Sequence, residues 1–154
     1  MGFRVVSLDA ALAAEVRSTG RSPGYGHPVV REVARGSGPC RSCMDTFAVG
    51  VEERLLFTYR PASGTGAVGA PGPVFIHAAS CARFEGDGFP AGLRALPLLA
   101  EGRTEDGRIL VTAALSGALA EPVLEGLLRD PGVAFVFLRH AEAGCHVARV
   151  ERLE

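Results

Sequence analysis

Four cysteines, and the histidines beside two of them, are the side chains in this 154-residue chain best suited to chemistry. Cys40 and Cys43 form C-x-x-C, His77 and Cys81 form H-x-x-x-C, and His140, Cys145 and His146 cluster towards the C-terminal end. Thiolates and imidazoles are soft metal ligands, and they are also readily tuned nucleophile and base pairs. The Cys40–Cys43 pair therefore has several readings. A redox pair belongs at the start of a helix, whose N-terminus lowers the first thiol's pKa, and Met44-Asp-Thr-Phe-Ala-Val-Gly is a poor helix. Half of a zinc site needs a second pair, which His77 and Cys81 could supply. The intervening stretch from Met44 to Ile76 contains a whole strand, so the two halves can meet only by tertiary folding. A catalytic thiol is the third reading: Cys40 as nucleophile or ligand, His77 as base or ligand, and Arg41 and Arg60 holding an anion. Inert thiols filling gaps in a core are the bland alternative.

Other motifs carry less. His140 and Cys145 flank a hairpin loop and would face each other if the strands pair up to the loop, leaving His146 on the opposite face with Phe135, Phe137 and Val150. Gly64, Gly66 and Gly69 match G-x-G-x-x-G letter for letter, but Pro71 and Pro73 follow where that motif must open a helix, so a dinucleotide site is rejected. The carboxylates, Glu52 and Glu53 among them, fall mostly in turns and read as solvent-facing.

Composition narrows the chemistry further. The chain has no Lys, Asn, Gln or Trp, so all 16 basic residues are Arg. No Schiff-base lysine, phosphate-loop lysine or Cys-His-Asn triad can be built, and any anion must be held by Arg, a backbone nest or a helix N-terminus. A net charge of -1 argues against nucleic acid and against an acidic membrane surface as partners. No apolar run approaches the roughly 20 residues of a membrane span, and Asp9, Glu15 and Arg17 interrupt the start where a secretory signal would be apolar. A reducing cytosol, with the thiols free or metal-bound, is the expected setting.

The elements that must position these residues follow from periodicity. Phe3 to Val6 reads as a strand, and Asp9 caps a helix through about Ser18, with Leu8, Leu12 and Val16 on one stripe and Gly20 as the stop. Val29–Ala34, Arg54–Arg60, Val74–Ala79 and Arg108–Leu115 read as strands. Leu93–Leu99 is ambiguous because Pro97 would need an edge or a bulge. Pro122 opens a second helix that Asp130-Pro-Gly ends, and Val133–His140 with Cys145–Arg152 forms a hairpin. The expectation is one α+β domain over residues 1–154: a mainly antiparallel sheet, or partly closed barrel, of about seven strands with two helices packed on it.

Several segments, in order, resemble a known family. Pro39-Cys-Arg-Ser-Cys, Phe57-Thr-Tyr-Arg-Pro, Gly72-Pro-Val-Phe-Ile-His-Ala with Cys81-Ala-Arg, Phe89-Pro, and Phe137-Leu-Arg with Gly144-Cys together are similar to the bacterial family catalogued as domain of unknown function 1203. The likeness runs from Arg31 onward. It implies a small bacterial protein and directs attention to Cys40, Arg41, Arg60, His77 and Cys81 without assigning them a role.

Two functional expectations result. One is a small-molecule enzyme or binding protein using Cys40, Arg41, Arg60 and His77, with a small anionic molecule as partner and no cofactor or a zinc ion. The other is a structural zinc domain, held by Cys40, Cys43, His77 and Cys81, that acts as an interaction module. They differ in whether these groups converge, and on what.

Overall fold

The structure, a computed structural model, describes residues 2–64, 66 and 68–153. Ten main elements follow one another: β1 (Phe3–Val6), α1 (Ala10–Thr19), β2 (Val30–Val33), β3 (Glu53–Tyr59), β4 (Gly72–His77), β5 (Leu98–Arg103), β6 (Ile109–Leu115), α2 (Ala120–Arg129), β7 (Phe135–His140) and β8 (His146–Arg152). The strands form two open sheets, a five-stranded one in the order β1-β8-β7-β5-β6 and a three-stranded one in the order β2-β3-β4. Every ladder is antiparallel. The fold is thus α+β as expected, with eight strands in two sheets and no closed barrel among the described residues.

Each helix packs on its own sheet. The Asp9 carboxylate accepts the Ala11 amide at the start of α1, and Gly20 ends the helix at φ 65°, a left-handed conformation that costs glycine little. Ala13 and Val16 of α1 then bury against Leu55, Phe57, Val74 and Ile76 of the small sheet, together with Cys40 and Phe47. Leu124 and Leu128 of α2 bury against Leu98, Ala100, Val136, Leu138 and Val150 of the large sheet. Each such side chain contributes about 1.5–3 kcal/mol on burial. No helix among the described residues is long and apolar enough to cross a membrane.

The loop between β2 and β3 ties the two cores together. Met44 is wholly buried in the core of the large sheet, while its neighbours Cys40 and Phe47 belong to that of the small one. The opposed anchors require a tight reversal, and Met44 takes φ 65°, a left-handed value rare for a side chain of that size. Arg41 adds a second tie: its backbone N–H donates to Phe75 O of β4 at 2.9 Å, and its Nε donates to His146 O of β8 at 2.7 Å.

Two strand expectations change in detail. Pro97 does not interrupt a strand. A short 3-10 turn at Ala91–Leu93 precedes it, and β5 begins at the next residue, pairing with both β6 and β7. At the hairpin, a register shift between Leu138 and Arg139 places Arg139 opposite His146. Val150 consequently lies with Val136 and Leu138 on the α2 side, whereas the His146 ring meets Phe137 edge-on at 5.1 Å. His140 and Cys145 do not pair through their side chains: His140 Nδ1 accepts the Glu142 and Ala143 amides, and Cys145 Sγ accepts a bond from Arg41.

Candidate metal centre

The C-x-x-C loop and the end of β4 meet. β4 carries His77 beside Arg54 of β3, with the imidazole turned towards the loop, and the chain beyond β4 brings back Cys81. One donor atom each from Cys40, Cys43, His77 and Cys81 lies within 4.8 Å of every other. Cys40 Sγ is 3.8 Å from Cys81 Sγ, and Cys43 Sγ is 3.4 Å from His77 Nδ1. These lengths have a simple meaning. Zinc–sulfur bonds of about 2.3 Å and zinc–nitrogen bonds of about 2.0–2.1 Å set tetrahedral edges of roughly 3.5–3.8 Å, so both separations are within about 0.1 Å of an edge. The sulfur pair is also far outside the ~2.05 Å of a disulfide, in keeping with four free cysteines.

The surroundings favour anionic sulfur. Cys40 is fully buried, yet its Sγ accepts the His77 backbone N–H at 3.3 Å. The bond from the Cys43 thiol, with help from the Cys43, His77 and Ser42 amides, outweighs burial and draws Cys40 down to about 4. Cys43 is pushed upward because the Cys40 thiolate holds its proton. The metal-free pair therefore keeps one proton between two sulfurs, which a thiophilic cation would displace. Arg17 of α1 donates from Nη2 to Cys81 Sγ at 3.3 Å and from Nε to His77 O at 3.1 Å, supplying positive charge beside a sulfur-rich cluster.

His77 has its second nitrogen fixed from outside the cluster. Nε2 lies 3.1 Å from Glu52 Oε2, and the other oxygen of Glu52 accepts the Ala48 amide at 2.7 Å. A carboxylate anchored this way accepts a hydrogen bond from Nε2–H and leaves the Nδ1 lone pair facing Cys43, an arrangement typical of a metal-binding histidine. Glu52→Ala should therefore weaken metal binding about 10- to 100-fold with the fold retained, as measured by competition with a chromophoric chelator. Unchanged affinity would mean that Glu52 does not orient the imidazole.

The two arginines singled out in the sequence are placed elsewhere. Arg41, 2% exposed, is held by Pro39 O, His146 O and Cys145 Sγ. Arg60 is exposed on a shallow surface with Leu12, Tyr25 and Thr58. Sequence reasoning missed Glu52 and Arg17. Glu52 read as a turn carboxylate and Arg17 only as a charge that interrupts the N-terminal stretch, and no spacing connects either to His77 or Cys81.

A family profile described as protein of unknown function (DUF1203) matches residues 37–152. The chain belongs to this family. No curated protein and no solved structure matches it. The DUF1203 span takes in all four donors and Glu52, and it begins just before the loop that carries Cys40. β1, α1 and β2 lie ahead of it, so Arg17 reaches the cluster from outside the matched segment.

Proposed function

We propose that this protein is a structural zinc-binding domain, with Cys40, Cys43, His77 and Cys81 as the four ligands. The observation that carries the reading is the convergence of all four donors within 4.8 Å of one another, with 3.8 Å between Cys40 and Cys81 Sγ and 3.4 Å between Cys43 Sγ and His77 Nδ1, close to tetrahedral edges. Three soft sulfurs and one imidazole select zinc over the oxygen-seeking cations. Four protein donors leave no coordination position for water, the mark of a structural rather than a hydrolytic site.

What the ion would hold follows from the topology. The Cys40–Cys43 turn joins the cores of both sheets through Met44 and Phe47, while His77 and Cys81 sit at the end of β4. Zinc would fasten that turn to the small sheet and so fix how the two sheets meet. A thiolate-rich site of this kind suits a reducing compartment such as the cytosol. The nucleophile reading of Cys40 fits less well, because its sulfur is 0% exposed and His77 Nδ1 faces Cys43 instead.

Cobalt substitution tests the proposal in the intact chain. Chelator-stripped protein titrated with Co²⁺ should develop thiolate-to-metal charge-transfer bands and tetrahedral ligand-field absorption that saturate at one equivalent. Octahedral, weakly absorbing cobalt would reject the four-ligand site.

A further inference from the structure

The face of the large sheet turned away from α2 is occupied by charge. Along β5, Glu101 and Arg103 alternate with Ala100 and Gly102, and Glu101 stands opposite Phe137 of β7, with Arg139 two residues on. Between this face and Pro61 with residues 69–73 lies a cleft of about 520 Å³. That volume is in the range of small-molecule sites, about 300–1,000 Å³. Its wall is apolar, with Pro61, Pro71, Pro73 and Phe137, and its floor is polar, with Arg139, Cys145 and His146.

The floor has too few acceptors for its cations. Glu101, 1% exposed, takes Arg103 Nη2 at 2.6 Å through one oxygen and lies 3.0 Å from Arg139 Nε through the other. Arg41 sits behind Cys145 with no carboxylate in contact among the described residues, and the one buried acid, Glu101, is shared by Arg103 and Arg139. The buried Nε atoms of Arg103 and Arg139 make no aligned hydrogen bond. Arg103 is fixed further by Gly107 O at 2.7 Å, whereas no protein acceptor contacts the two Nη atoms of Arg139 among the described residues. Burial, and then Arg41, Arg149 and Arg103, push His146 down to about 3, so it adds no charge at neutral pH. The Arg139 side chain is 38% exposed, so its Nη fork stays open to the cleft, where an oxyanion would supply the acceptors that the protein does not.

We propose that this cleft binds a small organic carboxylate with a ring-sized apolar body, its carboxylate on the Arg139 Nη fork and its body against Phe137 and the proline wall. Arg139 presents the bidentate geometry that suits a carboxylate. The apolar wall supplies the area that a bare inorganic anion cannot use. This site is distinct from the metal centre, and the proposal does not depend on zinc.

Benzoate and its neutral counterpart benzamide are the probes, titrated into the full chain and followed by backbone and arginine side-chain NMR shifts. Benzoate should bind, benzamide should bind at least about 10-fold more weakly, and Arg139→Gln should weaken benzoate by about the same factor, the usual effect of losing a charge-assisted pair. The unaltered protein offers a second readout that requires no variant. Cys145 lines the cleft, so benzoate should slow its alkylation by iodoacetamide, read from the Cys145 peptide by mass spectrometry, and benzamide should not. Equal binding of the two probes, unchanged affinity in a folded Arg139→Gln protein, or no protection of Cys145 would each overturn the proposal. Failure of the zinc reading would show separately, as a metal content near zero in protein purified without added metal.

Discussion

Cys40→Ser should leave the purified protein with less than a tenth of the wild-type metal, and it should melt about 6–20 °C lower. Two effects combine. A hydroxyl is a poor soft-metal ligand, so the site loses one of its three thiolates. Metal binding to a structural site is itself folding free energy, with apparent values of about 10–16 kcal/mol in zinc-finger peptides. Here two apolar cores contribute to stability besides the ion, so only part of that energy is at stake. A loss of roughly 3–5 kcal/mol corresponds to about 6–20 °C for a chain of this size. Cys145→Ser provides the contrast. Cys145 lies outside the cluster, against Arg41, and its removal should leave metal content unchanged. Metal analysis and calorimetry on both variants check this, and equal metal loss in the two would remove Cys40 from the ligand set.

Glu101→Leu should destabilise the fold by about 3–5 kcal/mol, although leucine is close in volume and the position is buried. The carboxylate neutralises two guanidinium groups, Arg103 at 2.6 Å and Arg139 at 3.0 Å. Arg139 is partly exposed and can turn to water, but the Arg103 side chain is only 15% exposed and also lies 5.2 Å from the Phe137 ring. Losing one partner of a buried pair leaves an uncompensated charge, which costs far more than the pair itself contributes. Adding Arg103→Met to Glu101→Leu should restore much of the loss. Chemical denaturation of the single and double variants measures it, and additive losses would show that the residues do not act as a pair.

The elements legible in the sequence are those whose burial is one-sided and uninterrupted. Phe57 and Leu55 alternate towards the α1 core, and Leu124 and Leu128 repeat at helical spacing against the large sheet. β5 was less clear because Pro97 stands at its threshold and Glu101 at its centre, and a buried acid makes sense only once Arg103 and Arg139 are beside it. The hairpin register holds from the loop to Arg139 opposite His146 and departs from Leu138 back to Val136, since one extra residue in β8 changes which side chains share a face. Of the site, the four donors could be named from residue type and spacing. Their convergence could not, because residues 44–76 hold β3 and most of β4, and only the pairing of those strands returns His77 to the Cys40 loop. The Glu52 and Arg17 contacts depend on the same folding and leave no local signal.

X-ray absorption at the metal edge, combined with elemental analysis of protein purified without added metal, addresses the central claim most directly. The four-ligand site predicts one zinc per chain, with three sulfurs at about 2.3 Å and one imidazole nitrogen at about 2.0–2.1 Å. Protein free of metal, or zinc surrounded mainly by oxygen, would contradict it.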